Sequence, residues 1–492
     1  MVRALVSLSA LCWCVGAAAS PFAATVLPPP VEPSRAVQPY VARAAGRIAL
    51  AHVRVIDGTG APPRDDMTVV LDGARIAAVQ PAAAPVPAGV QVLDLTGRTV
   101  LPGLVGLHDH MYYIGRPDLD AQGHSEPPLV VPQMTFTSPR LYLAAGVTTL
   151  RTTGSVEPYT DLNLKRQIDA GRIPGPHMDV TGPYLEGPDS PFIQMHQLKD
   201  ADDARRTVAF WADQGVTSFK AYMNITRAEL RAAIAEAHRR GLKLTGHLCS
   251  VTYPEAAALG IDDLEHGFFV NTQDDPGKTP DRCPDMAGTP TLAGMAPGSP
   301  AAAALIADLI RHHVALTSTL PVFEQQLSLH GPLQPRVMAA MTAEAREAYL
   351  YARNGRATHP NAQFEQAYRN DLGLERQFVA AGGLLLAGPD PTGNGGVVPG
   401  YGDQREVELL VEAGFTPVEA IRIATLNGAT YLGLADRIGT VSPGKDADLI
   451  VVNGDPASRI ADIEQVETTF KDGFGYDSAK LIASVRGRYG EY

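Results

Sequence analysis

Residues 99–110 read Thr-Val-Leu-Pro-Gly-Leu-Val-Gly-Leu-His-Asp-His, an apolar run that ends in two histidines one residue apart. The apolar, β-prone residues of this run predict a buried strand. Side chains two positions apart in a strand point to the same face, so His108 and His110 can reach one metal ion. Neighbouring histidines are also common as ordinary structural residues, so the rest of the chain has to decide between the two interpretations.

Composition narrows the class of protein. The chain has 492 residues, enough for one large domain and a smaller one, and it carries 53 acidic against 41 basic side chains, a net charge of -12. No basic run stands out, which argues against nucleic acid or an anionic membrane surface as a partner. We expect a small-molecule partner, and the composition leaves a homo-oligomer open.

Residues 1–19 have the order of a secretory signal peptide: a basic start, an apolar run, and small residues with Ala17-x-Ala19 as the cleavage signal. The apolar run is too short to span a membrane, so we expect an exported protein, periplasmic or secreted, without a membrane anchor. The Pro- and Ala-rich stretch 20–45 is predicted to be a linker. Cys249 and Cys283 lie beyond the signal peptide, and the sequence leaves open whether they form a disulfide.

The two ends of the remaining chain have a similar β-rich pattern. Short β-prone runs with Gly or Asp turns fill residues 46–100, and the pattern returns in 437–492. Two such ends can combine into a single accessory domain. We predict that they do so, with the middle of the chain inserted between them.

The middle, residues 101–436, alternates helical segments with short apolar or β-branched runs. After the first strand, further strands are predicted at 147–150, 177–181, 217–222, 242–247, 263–266, 315–320 and 384–387, with helices that include 202–214, 227–240 and 364–381. This alternation implies parallel strands, and eight of them favour a closed (β/α)8 barrel. A doubly wound open sheet is the alternative, but no GxGxxG turn follows the first strand.

Side chains that bind metals or carry charge close the predicted strands: His108, His110, Lys220, His247, His266 and Asp390. In a parallel barrel these strand ends meet at one rim, so residues far apart in sequence can share one site. Imidazoles, a carboxylate and a group that bridges them suit a pair of divalent cations. Two irregular stretches, 111–138 and 271–299, follow strands that end in histidines; they are candidate substrate loops, with insertions of no role as the alternative.

Three further stretches accompany the opening motif: 414–420, 424–429 and 439–449. With these motifs the chain resembles the amidohydrolase superfamily of metal-dependent hydrolases over nearly its whole length after the signal peptide. The resemblance is to the binuclear members with a carboxylated lysine, in the prolidase- and imidazolonepropionase-like branch. It implies a (β/α)8 TIM barrel with a small β-sandwich built from both chain ends, 46–100 and 437–492.

The resemblance also implies two divalent metal ions, preferably zinc. The ligands fall into two sets: His108, His110 and Asp390 for the more buried ion, and His247 and His266 for the other. Lys220 would carry a carbamate derived from CO2 that bridges both ions. A hydroxide held between the ions would be the nucleophile, and Asp390 the catalytic residue that moves its proton to the leaving group.

By the same resemblance, Lys220 implies hydrolysis of a C–N amide bond over deamination of a heterocycle, and an N-acyl amino acid or a small peptide is the expected substrate. Candidate substrate contacts are Tyr112, Tyr113, His124, Arg151, His177, Tyr184 and Tyr222. A cation such as Arg151 could receive a substrate carboxylate. Hydrolysis of an ester, lactone or cyclic amide on the same site is one alternative, and a non-catalytic exported binding protein is another.

Overall fold

A computed structural model describes residues 22–116, 118, 121, 127–329, 331–392 and 396–491. The predicted signal peptide and His124 lie outside these described residues. The strands are β1 (Val41–Arg43), β2 (Gly46–Val55), β3 (Arg64–Gly73), β4 (Arg75–Pro81), β5 (Gln91–Asp94), β6 (Arg98–Pro102), β7 (Leu104–Asp109), β8 (Val147–Thr152), β9 (His177–Leu185), β10 (Ser218–Ala221), β11 (Lys243–Gly246), β12 (Asp263–Glu265), β13 (Ala315–Ser318), β14 (Leu385–Ala387), β15 (Leu449–Asn453), β16 (Val466–Lys471) and β17 (Phe474–Asp477).

The helices are α1 (Ser138–Ala144), α2 (Pro158–Asp169), α3 (Ala201–Gln214), α4 (Arg227–Arg239), α5 (Tyr253–Leu259), α6 (Thr289–Gly294), α7 (Pro300–Arg311), α8 (Leu320–Glu324), α9 (Pro335–Ala340), α10 (Ala343–Thr358), α11 (Ala362–Ala380), α12 (Tyr401–Glu412), α13 (Pro417–Arg422), α14 (Gly428–Tyr431) and α15 (Ser478–Val485). Local chemistry sets several of their ends. Helix α4, for example, begins after Thr226 because the Thr226 side chain accepts from Glu229 N while the Glu229 carboxylate binds the Thr226 backbone. Across the described residues, every helix is too short or too polar to cross a membrane.

Strands β7 to β14 form one parallel sheet in chain order, and helices lie between successive strands along most of the chain. The two edge strands meet where Asp390 N, just after β14, donates to His108 O at 3.1 Å. The predicted (β/α)8 barrel is therefore confirmed. The predicted helices 202–214, 227–240 and 364–381 are confirmed as α3, α4 and α11.

A second sheet combines both ends of the chain, in the order β1-β17-β16-β15-β6-β2-β3-β4, with β5 beside β2. The opening stretch enters both sheets. Strand β6 pairs with β15 in this composite sheet, whereas β7 is the first strand of the barrel. The single predicted strand over this stretch is therefore wrong: Gly103 separates two strands, and a Cβ at Gly103 would overlap Thr148 Oγ1.

The described part of the predicted linker 20–45 is an ordered part of the fold. Ala23 N donates to Gly241 O at 3.0 Å, and Thr25 Oγ1 donates to Asp179 Oδ2 at 2.6 Å. Leu27 is buried in a cluster with residues of the barrel strands such as Leu107. The linker prediction is wrong because a Pro-rich stretch without regular structure can still fill the N-terminal end of a barrel.

The two predicted loop insertions are held by different contacts. In the first, Gly115 N donates to Val130 O at 2.8 Å, so its two described ends pair with each other. The second is bonded to the loop after β11, since Cys249 and Cys283 form a disulfide with 4.9 Å between their Cα atoms. The pairing that the sequence left open is therefore present.

Helices α11 and α12 carry three buried carboxyl groups, two of which are hydrogen-bonded to residues at or after the ends of β12 and β13. Asp371 Oδ1 accepts from Phe268 N at 2.8 Å, and Glu375 Oε2 accepts from Ser318 Oγ at 2.9 Å. Burial raises the pKa of Asp371 and of Glu406 to about 8, and it also raises that of Glu375. These groups are therefore neutral acids in the folded protein below that pH.

We expect the stability that these three groups contribute to be lost as pH rises from about 4, where these acids titrate in an unfolded chain, through about 8. The sign follows because a raised folded pKa means that the folded state binds the proton more tightly. Glu406→Gln keeps a neutral group at this position, so it should flatten the dependence and raise the free energy of unfolding near pH 9 by on the order of 2 kcal/mol. Thermal unfolding midpoints of both proteins near pH 6 and pH 9 measure the effect, and equal slopes would contradict it.

Candidate metal centre

The first ligand set, His108, His110 and Asp390, comes from the two edge strands of the barrel. His108 lies in β7, His110 follows directly after it, and both side chains are buried. Asp390 follows β14, and its Oδ1 lies 3.0 Å from His110 Nε2 and 3.6 Å from His108 Nε2. One ligand atom of each residue lies within 4.8 Å of the other two. The three side chains are thus close enough to share an ion.

The second ligand set, His247 and His266, follows the ends of β11 and β12. Their ring centroids are 4.4 Å apart, and the His266 ring is 4.6 Å from the His108 ring. His266 Nδ1 contacts Thr319 Oγ1 at 2.8 Å. The five side chains of the two sets therefore converge at the C-terminal end of the barrel, as the sequence predicts.

Lys220, in β10, lies next to the first set. Its Nζ is 3.0 Å from His108 Nε2. Burial lowers the pKa of Lys220 to about 8, so the neutral amine, the form that can react with CO2, is accessible near neutral pH. Burial also lowers the pKa of His247 to about 3, and the charge of Lys220 adds to that shift.

Two observations indicate that the residues fit divalent metal ions. His110 Nδ1 and His266 Nε2 are buried and have no hydrogen-bond partner among the described residues, a costly state unless something binds them. Burial lowers the pKa of His108, His110 and His266, so these imidazoles stay neutral, as a metal ligand must. The donor set of nitrogens and one carboxylate suits zinc.

Two of the predicted ligands have left-handed backbone conformations. His266 has φ 70° and Asp390 has φ 53°. A non-glycine residue in this region costs on the order of 1 kcal/mol or more, and such residues cluster at functional sites. Hydrogen bonds from the neighbouring Gly267 N to Thr317 O, at 2.9 Å, and from Asp390 N to His108 O hold both turns.

A charged layer that the sequence-based predictions do not include lies directly beneath the histidines. Glu265 Oε2 lies 2.7 Å from His108 Nδ1, and Glu265 Oε1 accepts from Arg151 Nη2 at 2.9 Å. Arg151 Nη2 also donates to Asp263 Oδ2 at 2.7 Å, and all of these side chains are buried. The signal was present in β12, because Asp263 and Glu265 are two residues apart and therefore face the barrel interior together.

Three of the candidate substrate contacts form a wall beside the histidines. Tyr112 stacks on His110 with 4.4 Å between ring centroids, and its hydroxyl lies 2.5 Å from that of Tyr184. The Tyr222 ring is 4.8 Å from the Tyr184 ring and 4.9 Å from the His247 ring. Burial raises the pKa of all three phenols, so they are neutral and can donate hydrogen bonds.

The structure contradicts two other candidate contacts. His177 is the first residue of the nine-residue strand β9, so it lies at the opposite end of the barrel from His108. Arg151 is 1% exposed and bound to Asp263 and Glu265, so it cannot receive a substrate carboxylate. Tyr113 packs edge-on against Tyr489, with ring centroids 5.8 Å apart.

Known proteins resemble this chain in fold and, over shorter stretches, in sequence. A protein from Bifidobacterium longum, provisionally assigned as a prolidase, has a solved structure that is 25% identical, with a TM-score of 0.64 over 90% of this chain and 100% of that chain. The adenine deaminase of Ligilactobacillus salivarius is 39% identical over 67 residues, 14% of this chain and 11% of that protein. The imidazolonepropionase of Deinococcus radiodurans is 37% identical over 87 residues, 18% of this chain and 21% of that protein.

The two curated relatives are thus matched over less than a quarter of their own length. A sequence profile described as Amidohydrolase family covers much more, residues 99–317 and 401–474, which is over half of the chain and includes most of the barrel and part of the composite sheet. The chain belongs to the amidohydrolase family.

Proposed function

We propose that the protein is a metal-dependent hydrolase that cleaves a C–N amide bond in an N-acyl amino acid or a small peptide. The observation that carries the proposal is the position of Lys220, whose Nζ lies 3.0 Å from His108 Nε2 at the centre of the strand-end residues. The resemblance to binuclear amide hydrolases rests on a lysine at this place. The provisional assignment of the B. longum structure as a prolidase, which is also an amide hydrolase, supports the same class.

In this proposal each ligand set would hold one divalent ion, zinc by preference. A carbamate on Lys220, formed when the amine takes up CO2, would replace a repelling ammonium by an anionic ligand with two oxygens. Bound ions would supply Lewis-acid chemistry, polarising a carbonyl and lowering the pKa of water. Glu265 holds the His108 ring through Nδ1, so that Nε2 faces Lys220.

Asp390 is the residue that moves the proton. Its Oδ1 lies beside His110 Nε2 at the open end of the barrel, where a substrate carbonyl can approach. Water adds to the amide carbon and gives a proton to Asp390, the C–N bond breaks, and Asp390 returns the proton to the departing nitrogen. The products are a carboxylic acid and an amine.

The three tyrosines that form the wall beside the histidines determine which kind of substrate group can bind there. Tyr112, Tyr184 and Tyr222 offer ring faces and neutral hydroxyl donors, which suit an acyl or side-chain group with a polar end. We also propose that the protein is exported, to the periplasm or into the medium. The Cys249–Cys283 disulfide supports it, because such bonds persist mainly in oxidising compartments.

A substrate panel tests the proposal. Purified protein lacking residues 1–19 is assayed with N-acyl amino acids, dipeptides, aryl esters and hydantoins, and its metal content is measured on the same sample. We expect amide substrates to be cleaved, activity to disappear on dialysis against a chelator, and Zn²⁺ to restore it. Turnover of aryl esters or hydantoins without turnover of N-acyl amino acids or dipeptides would favour the alternative, hydrolysis of an ester, lactone or cyclic amide. A metal-free, inactive protein would favour the binding-protein alternative.

Lys220→Ala tests the bridging role. Without the lysine, kcat/KM should fall about 100-fold or more, because an inner ligand is lost. Small carboxylates such as acetate should restore part of the activity, since they can take the place of the carbamate. Lys480→Ala, at an exposed lysine of α15, is the control and should leave kcat/KM unchanged. Equal activity of both variants, or no response to acetate, contradicts the carbamate.

Glu265→Gln tests the support beneath the metal ligands. The variant keeps the shape of the side chain but weakens its contact with His108 Nδ1, so we expect metal affinity to fall about 10- to 100-fold. Competition with a chromophoric chelator measures this without any substrate. Glu406→Gln is a matched control at another buried glutamate, which has no hydrogen bond to a predicted ligand among the described residues. Equal affinities in the two variants would show that Glu265 does not position His108.

A further inference from the structure

A second cluster of metal-binding side chains lies at the other end of the barrel from the candidate metal centre. His177 is the first residue of β9, Asp448 directly precedes β15, and Asp472 lies in the turn between β16 and β17. The histidine belongs to the barrel and the two aspartates to the composite sheet. The cluster therefore joins the two sheets of the protein.

The spacing of the three side chains suits an ion held between them. His177 Nε2 lies 3.4 Å from Asp472 Oδ1 and 3.8 Å from Asp448 Oδ2. One ligand atom of each residue lies within 4.8 Å of the other two. Both distances are long for hydrogen bonds. Ligands bound at about 2.1 Å to one tetrahedral zinc ion are about 3.4 Å from each other.

Atoms of the cluster also lack other partners. Asp448 Oδ2 and His177 Nδ1 have no hydrogen-bond partner in the part of the chain that the structure describes, although His177 is 1% and Asp448 4% exposed. The other oxygen of Asp448 accepts from Asp472 N at 2.8 Å, which holds the carboxylate in place. An unpartnered buried carboxylate oxygen is costly, and a cation beside it removes that cost.

Lys471 is the neighbouring charge that opposes a cation. Its Nζ lies 3.4 Å from Asp472 Oδ2, which is the oxygen that does not face His177. Lys471 thus pairs with Asp472 Oδ2, and the unpartnered Asp448 Oδ2 remains for an ion.

We propose that His177, Asp448 and Asp472 form a structural site for a divalent cation of the zinc type, which fastens the barrel to the composite sheet. One imidazole nitrogen with two carboxylate oxygens suits zinc, whereas Ca²⁺ and Mg²⁺ prefer sets made of oxygen alone. The site is independent of the proposed hydrolysis, because it lies at the end of the barrel away from the strand ends that carry the two ligand sets.

Zinc content tests the proposal on the full chain lacking residues 1–19. After equilibration with Zn²⁺ and removal of the excess, Asp472→Asn should contain one zinc per chain fewer than the unchanged protein. It should keep the metal of the candidate metal centre. Zn²⁺ should raise the thermal midpoint of the unchanged protein more than that of Asp472→Asn. Asp436→Asn, at an exposed aspartate, is the control and should match the unchanged protein in both measurements.

A variant of the other site separates the two metal proposals. His110→Asn weakens the first ligand set but leaves this cluster intact, so a zinc ion should still bind at His177 even where the candidate metal centre is empty. Crystals soaked in Zn²⁺ should show anomalous scattering about 2.1 Å from His177 Nε2. This measurement needs no variant of the cluster and stands if Asp472→Asn fails to fold. Equal zinc content in the unchanged protein and Asp472→Asn, or no anomalous peak at His177, overturns the proposal.

Discussion

The burial of Arg151 is the constraint on which the barrel interior depends. A guanidinium taken fully out of water costs several kcal/mol unless carboxylates face it, and Asp263 and Glu265 do so from β12. Glu265 also contacts His108, so the interaction that neutralises the arginine orients the first histidine of the candidate metal centre. Thr245 Oγ1 and Thr317 Oγ1 donate to these carboxylates from the neighbouring strands, at 2.5 Å and 2.9 Å. The hydrogen bonds around the buried Arg151 charge thus connect β7, β8, β11, β12 and β13.

The parallel order of the strands then determines where the site can be. All eight barrel strands end on the same rim, and His110, His247, His266 and Asp390 follow four of these ends. The left-handed turns at His266 and Asp390 are the local cost of that arrangement. Backbone hydrogen bonds between neighbouring strand ends hold these two turns. The closed barrel therefore stabilises backbone conformations that would be unfavourable in an isolated turn.

Much of this could be predicted from the sequence, because strand periodicity and parallel topology are properties of short stretches. The alternation at His108 and His110 and the charged residues closing later strands predict one convergent metal site, whereas its division into two ligand sets is what the resemblance to the family implies. The predictions that are wrong concern tertiary packing and which groups a side chain contacts. Whether Leu27 fills the end of a barrel, whether Gly103 separates two strands, and whether Arg151 faces a substrate or a carboxylate all depend on what lies opposite in space. His177 lies on the predicted strand but at the end away from the expected substrate site, since residue type alone does not say which end of a strand binds substrate.

The composite sheet and the disulfide together determine how a substrate can reach the site. The segment around Leu27 fills the N-terminal end of the barrel, and the composite sheet packs at that end through Asp448 and Asp472. At the opposite rim the Asp390 side chain is 15% exposed, so the site is reached from that side. At that rim Cys249 lies two residues after His247, and its bond to Cys283 attaches the second insertion to the segment that carries the second ligand set. If this insertion moves to admit substrate, it must pivot about Cys283. The stretch around that cysteine therefore stays beside His247 throughout, and changes of shape are confined to parts of the loop farther along the chain.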